Sequence, residues 1–167
     1  IAQLPILRIG HSQVGGGIKV TARLHPQRVV FAEGGPPTMM KAAVQAKTEG
    51  ICQPILLGNP DRLNRLAQRL KLDLSDIQII DMRADQEQGR RATYAKHLAK
   101  KRARQGYNFE EAYDKMYERN YFGMMMVETG EADAFITGLY TKYSNTIKVA
   151  KEVVGIRPDY NTFGTMH

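Results

Sequence analysis

Thr141, Lys142, Tyr143, Ser144, Asn145, Thr146 and Lys148 bring hydroxyls, an amide and two ammonium groups into one short stretch of this 167-residue chain. Such groups donate hydrogen bonds and positive charge, so the chemistry they suit is the holding of an anion. They follow an apolar run, Ala132, Ala134, Phe135 and Ile136, which Asp133 interrupts and Gly138 closes. That run reads as a strand covered by helices on both faces. Upstream, Tyr121 to Thr129 is too densely apolar for a one-faced surface helix and is predicted to be buried, with Gly130 as its left-handed stop. Downstream, Ser144 or Asn145 is the predicted cap of a helix from Thr146 to Val154, ended by Gly155. Ligands of open α/β sheets sit beyond the carboxyl ends of strands. The first amides of a helix are unpaired there, so an anion is expected in the loop, with Thr141, Lys142, Ser144 and Thr146 as further donors. The plainer alternative is that Ser144 and Asn145 only cap the helix while Lys142 is solvated.

Alternating strands and helices must position that loop. Arg28 to Ala32 is a β-branched and aromatic run, and Gly34, Gly35, Pro36 and Pro37 turn the chain into a helix from Thr38, its expected cap, to Glu49. After a stop at Gly50, Ile51 to Leu57 reads as the second strand. Gly58-Asn59-Pro60-Asp61 then supplies a turn, a cap, proline at the first helical position and an early acid, for a helix reaching Leu70. Ile77 to Asp81 is the third strand and Asp81 to Gln88 a polar loop. A basic helix ends near Gly106, and Asn108 with Glu111 forms a capping box for Phe109 to Arg119. Repeated β-loop-α units imply a three-layer α/β/α fold with a mainly parallel sheet. In it the loops Glu33 to Thr38 and Thr137 to Thr146 are expected to converge. Glu33, a lone carboxylate, reads as a structural hydrogen-bond acceptor rather than a general base. The GGPPT turn is neither a Walker loop nor a dinucleotide fingerprint.

Composition narrows the classes. With 43% hydrophobic and 25% charged residues the chain suits one globular domain. Cys52, the lone cysteine, reads as a small buried hydrophobe, and a reducing cytoplasm is the expected setting. No stretch approaches the ~20 apolar residues that span a bilayer, and no membrane association is expected. His11, His25, His97 and His167 lack metal-ligand spacing, so no metal site is expected. The net charge of +7 invites a nucleic-acid reading. Its excess is local, however: Arg90, Arg91, Lys96, Lys100, Lys101, Arg102 and Arg104 share one helix with Tyr94 and Leu98 on an apolar stripe. A solvated or interfacial face is the favoured reading, because no nucleic-acid motif accompanies it.

The stretch GEADAFITGLYTKYSNTIKVAKEVVG, Gly130 to Gly155, resembles a segment of phosphate acetyltransferases, and more closely the phosphotransacetylase-like C-terminal region of bacterial NADP-dependent malic enzymes. HPQRVVFAEG from His25, MMKAAVQAKTEGICQPILLGNPDRL from Met39, RRATYAKHLAKKRARQG from Arg90 and NFEEAYDKMYERNYFGMMM from Asn108 match the same region in order. The resemblance covers Leu24 to His167, and it implies the first lobe of a phosphate acetyltransferase-like fold, of the isocitrate/isopropylmalate dehydrogenase-like kind. Three departures stand out. Where an acetyltransferase has Thr-Ala-Asp-Thr followed after one residue by Arg-Pro, this chain has Tyr143, Ser144, Asn145, Thr146, Ile147, Lys148 and Val149, and an ammonium does not replace a bidentate guanidinium. Gly35, Pro36, Pro37 and Thr38 stand where a charged run is usual. The serine, arginine and aspartate assigned to acetyl transfer in the family come from a later stretch without a counterpart here, so no catalytic residue is assigned.

What the resemblance implies is a domain of 24–167, a truncated first lobe with the second absent, preceded by an N-terminal segment or linker, 1–23. Ile1 in place of an initiator methionine, and the hinge-like Val14-Gly15-Gly16-Gly17, suggest a piece of a larger polypeptide. The complete enzyme would oxidatively decarboxylate malate to pyruvate and carbon dioxide with NADP and Mg or Mn in another part, and this part would hold no cofactor. The implied role here is regulatory: acetyl-CoA or an acyl phosphate binds at Thr141 to Lys148 and changes the state of a homo-oligomer that includes the malic-enzyme catalytic domain. The alternatives are a fragment of an active phosphate acetyltransferase or butyryltransferase, and a basic nucleic-acid-binding or structural interaction module.

Overall fold

The computed structural model describes residues 21–156. The hinge-like Val14-Gly15-Gly16-Gly17 and most of the N-terminal segment or linker lie outside the described residues, as does the chain from residue 157. Strands β1 (Gln27–Phe31), β2 (Cys52–Leu57), β3 (Gln78–Ile80) and β4 (Ala134–Ile136) form one four-stranded sheet in the order β3-β2-β1-β4. All three pairings are parallel, with Val29 opposite both Pro54 and Ala134, and Ile55 opposite Gln78.

Alternation along the strands divides the core. Val29, Phe31 and Leu56 point to one face, where they pack with Met39, Met40 and Ala43 of α1 (Pro37–Thr48) and Leu63 and Ala67 of α2 (Pro60–Leu70). Val30, Ile55, Leu57 and Ile80 point to the other, against α3 (Gln88–Arg102), α4 (Phe109–Lys115), α5 (Arg119–Glu128) and α6 (Tyr143–Val153). The result is the expected α/β/α sandwich, because strands buried on both faces need a helix layer on each. Arg28 fastens β1 to the start of β4: its guanidinium and its amide both donate to Asp133, which holds that carboxyl below the usual range. Cys52 is buried, and burial pushes its thiol up to about 11.

Local punctuation works as expected at most ends. Asn59 accepts a hydrogen bond from the Arg62 amide and Asn108 one from the Glu111 amide, while Gly50 and Gly130 take φ of 69° and 79° as helix stops. Two expectations need correction. Thr38 does not cap α1: the helix begins at Pro37, after an extended Pro36, so proline's fixed φ starts it and Thr38 lies inside the first turn. The helix predicted over Phe109 to Arg119 is broken. Met116, Tyr117 and Glu118 tighten into i−3 hydrogen bonds after Lys115, and Glu118 is extended, so that α4 and α5 each direct their own apolar side into the core.

The densely apolar helix is buried as expected: Met124, Met125 and Met126 all lie in the core on α5. Gly123 lets this helix approach the sheet closely. A Cβ there would lie 2.4 Å from Phe135 Cε2 and 3.2 Å from Leu57 Cδ1, atoms on two different strands. Gly123→Ala is expected to lower stability by about 1–2 kcal/mol, overpacking outweighing the better helix propensity of alanine. Chemical denaturation reads this directly, and a stabilised variant would contradict it.

The basic helix α3 also departs from a plainly solvated face. Arg91 is buried; Arg90 pairs with Glu87 and Glu131; Lys101 reaches Glu128 and the Val154 carbonyl; and Arg102 donates to the carbonyls of Lys151 and Glu152. The last turn of α3 thus caps the carboxyl end of α6, where unpaired carbonyls and the helix dipole favour cations. Among the described residues no helix is long and apolar enough to cross a membrane.

Candidate functional site

The strand order places a topological switch between β1 and β4, since the chain runs outward through β2 and β3 and returns to the opposite side of β1. In such sheets the crevice lies beyond the carboxyl ends of the strands flanking the switch. The loops after β1 and β4 do converge there. Glu33, only 1% exposed, accepts hydrogen bonds from the Leu139 amide at 2.9 Å, the Tyr140 amide at 3.2 Å and the Thr141 hydroxyl at 3.2 Å. Glu33 is therefore the structural acceptor the sequence suggested. The protein's own carboxylate fills the nearest anion-holding position in the loop, so those two amides and the Thr141 hydroxyl are engaged internally.

The cap expectation for α6 fails. Helical hydrogen bonds begin with the amides of Asn145 and Thr146 donating to the Lys142 carbonyl, so Lys142 is the N-cap, and its side chain makes no capping bond. Ser144 and Asn145 fall within the first turn, exposed. Thr146 Oγ is buried with no hydrogen-bond partner. Lys148 is exposed on the next turn, where its charge acts on Glu152, together with Lys115, below the hydroxyls of Tyr107 and Tyr121 that donate to that carboxylate. Lys142 and Tyr143 are exposed at the helix start.

Two adjoining cavities open along the strand ends. The larger, about 610 Å³, runs from the turn Gly34-Gly35-Pro36 past Asn59 and Arg62 to Asp81 and Arg83. The smaller, about 340 Å³, lies between Tyr117 and Thr141 and reaches Glu33, Asn120 and Asn145. Met82, Arg83, Arg119 and Tyr140 line both. Of the residues expected to bind, Thr141 and Asn145 line the smaller cavity, while Lys142, Tyr143, Ser144, Thr146 and Lys148 line neither.

The cations that do face the cleft come from elsewhere in the chain: Arg62 in the first turn of α2, Arg83 after β3 and Arg119 at the first position of α5. Against them stand Asp81 in the larger cavity and Glu118 and Glu33 in the smaller. Asp81 is occupied by its own turn, accepting from the Arg83 amide at 3.1 Å and from Asn59 Nδ2 at 3.2 Å. Gly34 keeps the floor of the larger cavity open, for a Cβ there would lie 3.1 Å from the Leu57 carbonyl oxygen and 3.2 Å from Leu63 Cδ1. Planar guanidiniums in a crevice of this size suit an anion that offers paired oxygens, such as a phosphate or carboxylate. Among the described residues no group of three or more His, Cys, Asp or Glu side chains is placed to hold a metal ion.

This architecture is shared with solved phosphotransacetylases. One from Streptococcus pyogenes superimposes with a TM-score of 0.79 at 24% identity, over 92% of this chain and 46% of that one. The EutD phosphotransacetylase of Staphylococcus aureus gives 0.74 at 24% identity, over 88% and 44%. In sequence, an NADP-dependent malic enzyme of Rhizobium meliloti is 30% identical over 145 residues, 85% of this chain and 19% of its own length. A phosphate acetyltransferase of Thermoanaerobacterium thermosaccharolyticum is 31% identical over 137 residues, 82% of this chain and 40% of its own. The chain thus spans less than half of each of these relatives. With residues 16–167 matching the family described as Phosphate acetyl/butaryl transferase, this chain, whose fold is that of solved phosphotransacetylases, belongs to that family.

Proposed function

We propose that this chain is the phosphotransacetylase-like regulatory part of an NADP-dependent malic enzyme and that its cleft senses acetyl-CoA or an acyl phosphate. The observation that carries this reading is that Arg62, Arg83 and Arg119 line one cavity along the carboxyl ends of the strands, in a chain whose relatives include malic enzymes. Acetyl-CoA and acyl phosphates both present phosphate oxygens that guanidiniums bind in pairs. Lys148 and Val149, in place of the Arg-Pro of transferases, favour a sensor over a transferase. Malate oxidation, with its NADP and Mg or Mn, belongs in this reading to another part of the polypeptide, and the domain acts by binding two states of a cytoplasmic homo-oligomer unequally.

The similarity to phosphate acetyltransferases supports a second reading, in which the cleft positions acyl phosphate for attack by the coenzyme A thiol. Nucleic-acid binding is the weakest, because Arg90, Arg91, Lys101 and Arg102 of the basic helix are engaged within the fold. The separating experiment titrates the full-length protein with acetyl-CoA while following malate oxidation. A changed rate or malate affinity is the expected result. An unchanged one sinks the regulatory reading, and acetyl transfer between acetyl phosphate and coenzyme A would favour the second.

A further inference from the structure

We infer that Arg91 is a positioning residue for the cleft: buried beneath it, its guanidinium fixes the turn that presents Arg83 to an anionic ligand. The inference rests on the reading of the crevice as an anion site. Arg91 and Glu33 are the buried charged side chains among the described residues, and Arg91 is 2% exposed. Its hydrogen-bond partners are neutral. Nη1 donates to the Met82 carbonyl at 2.6 Å and the Ala84 carbonyl at 2.8 Å, and Nε to Tyr113 Oη at 3.5 Å. The guanidinium also lies over the Tyr117 ring, 4.6 Å from its centroid.

Burying a cation without a carboxylate partner is costly, and an apolar side chain of similar volume would hold α3 against the sheet at least as well. What the guanidinium adds is Nη1, whose two N–H groups bridge two backbone carbonyls. The two carbonyls it bridges flank Arg83, whose own amide donates to Asp81, while the Ala84 amide donates to the Asp81 carbonyl at 2.9 Å. Residues 82–84 are therefore pinned from both sides, and Arg83, exposed at the centre of the turn, is directed to the border of the two cavities. Tyr117, on which Arg91 rests, lines the smaller cavity as well. Thus a residue with no place in the cleft wall supports two that have one.

The test is a mutant cycle in the full-length protein, with calorimetric binding of coenzyme A and of acetyl phosphate as separate probes. Arg83→Ala is expected to weaken binding about tenfold, the loss of one charge-assisted contact. Arg91→Met, which removes both bridges, is expected to weaken it about three- to fivefold by releasing that contact, and Arg91→Lys, whose ammonium can still donate to one or both carbonyls, is expected to lose less. In the Arg83→Ala background either Arg91 change should have no further effect, because the group it positions is gone. A merely structural role would instead lower affinity equally in both backgrounds. Losses that multiply, or an Arg91→Met protein that folds and binds like wild type, overturn the inference alone. Wild-type protein that binds neither probe overturns the anion reading of the cleft and this inference with it.

Discussion

Glu33→Ala is expected to lower stability by about 3 kcal/mol, which for a chain of this size lowers the melting temperature by roughly 6–12 °C. The carboxylate satisfies two backbone amides and a threonine hydroxyl of the loop after β4, and alanine leaves all three donors without it. An unmet buried polar group costs about 1–3 kcal/mol, and the total falls below three such penalties because Leu139 and Tyr140 are exposed enough for water to reach part of the gap. Glu33→Gln should lose about half as much, since an amide keeps one acceptor and turns the other into a donor. The diagnostic measurement is hydrogen exchange. The Leu139 and Tyr140 amides should exchange much faster in Glu33→Ala, while the Val30 and Leu56 amides in the sheet follow only the global loss. Equal melting temperatures with unchanged exchange at the loop would show that Glu33 does not hold it.

Where the determinants are local, the sequence is easily read. Asn59-Pro60 and Asn108 announce their helices, and Gly50 and Gly130 end theirs, because caps and left-handed stops involve only neighbouring backbone. The parallel sandwich is legible from repeated β-loop-α units, and the meeting of the loops at Glu33 and Thr141 from the rule for strand ends. The error at α6 has the same local origin. Ser144 and Asn145 are good capping types, yet the chain enters the helix one turn early, and Lys142 provides the cap with its carbonyl alone. The cations of the cleft were not legible. Arg62, Arg83 and Arg119 stand in different stretches, each resembling any solvated surface residue, and only the order of strands brings them together. The signal that could have found Arg83 and Arg62 is position: one follows the carboxyl end of β3, the other opens the helix after β2. Arg91 is hidden more deeply, as one cation among six in its helix. Burial distinguishes it, and burial depends on the turn after β3.

Arg119→Ala is expected to weaken binding of coenzyme A or acetyl phosphate to the full-length protein by about ten- to a hundredfold, while Lys148→Ala changes it less than about twofold. Arg119 begins α5, so its guanidinium stands with the first amides of that helix and borders both cavities, where any ligand extending between them must pass. It is matched there by Arg83, and its planar fork can bind two phosphate oxygens together, a geometry that Arg119→Lys would lose despite keeping the charge. Lys148 carries the same formal charge and sits in the stretch whose composition first suggested an anion site. In the fold it acts on Glu152 instead, on a surface screened by solvent. Isothermal titration of the three variants separates geometry from net charge. Equal losses for Arg119→Ala and Lys148→Ala would mean that the ligand responds to the overall positive field. A loss confined to Lys148→Ala would return the binding site to the loop before α6. The expected ordering, with Arg119→Lys between wild type and Arg119→Ala, requires the guanidinium itself to meet the ligand.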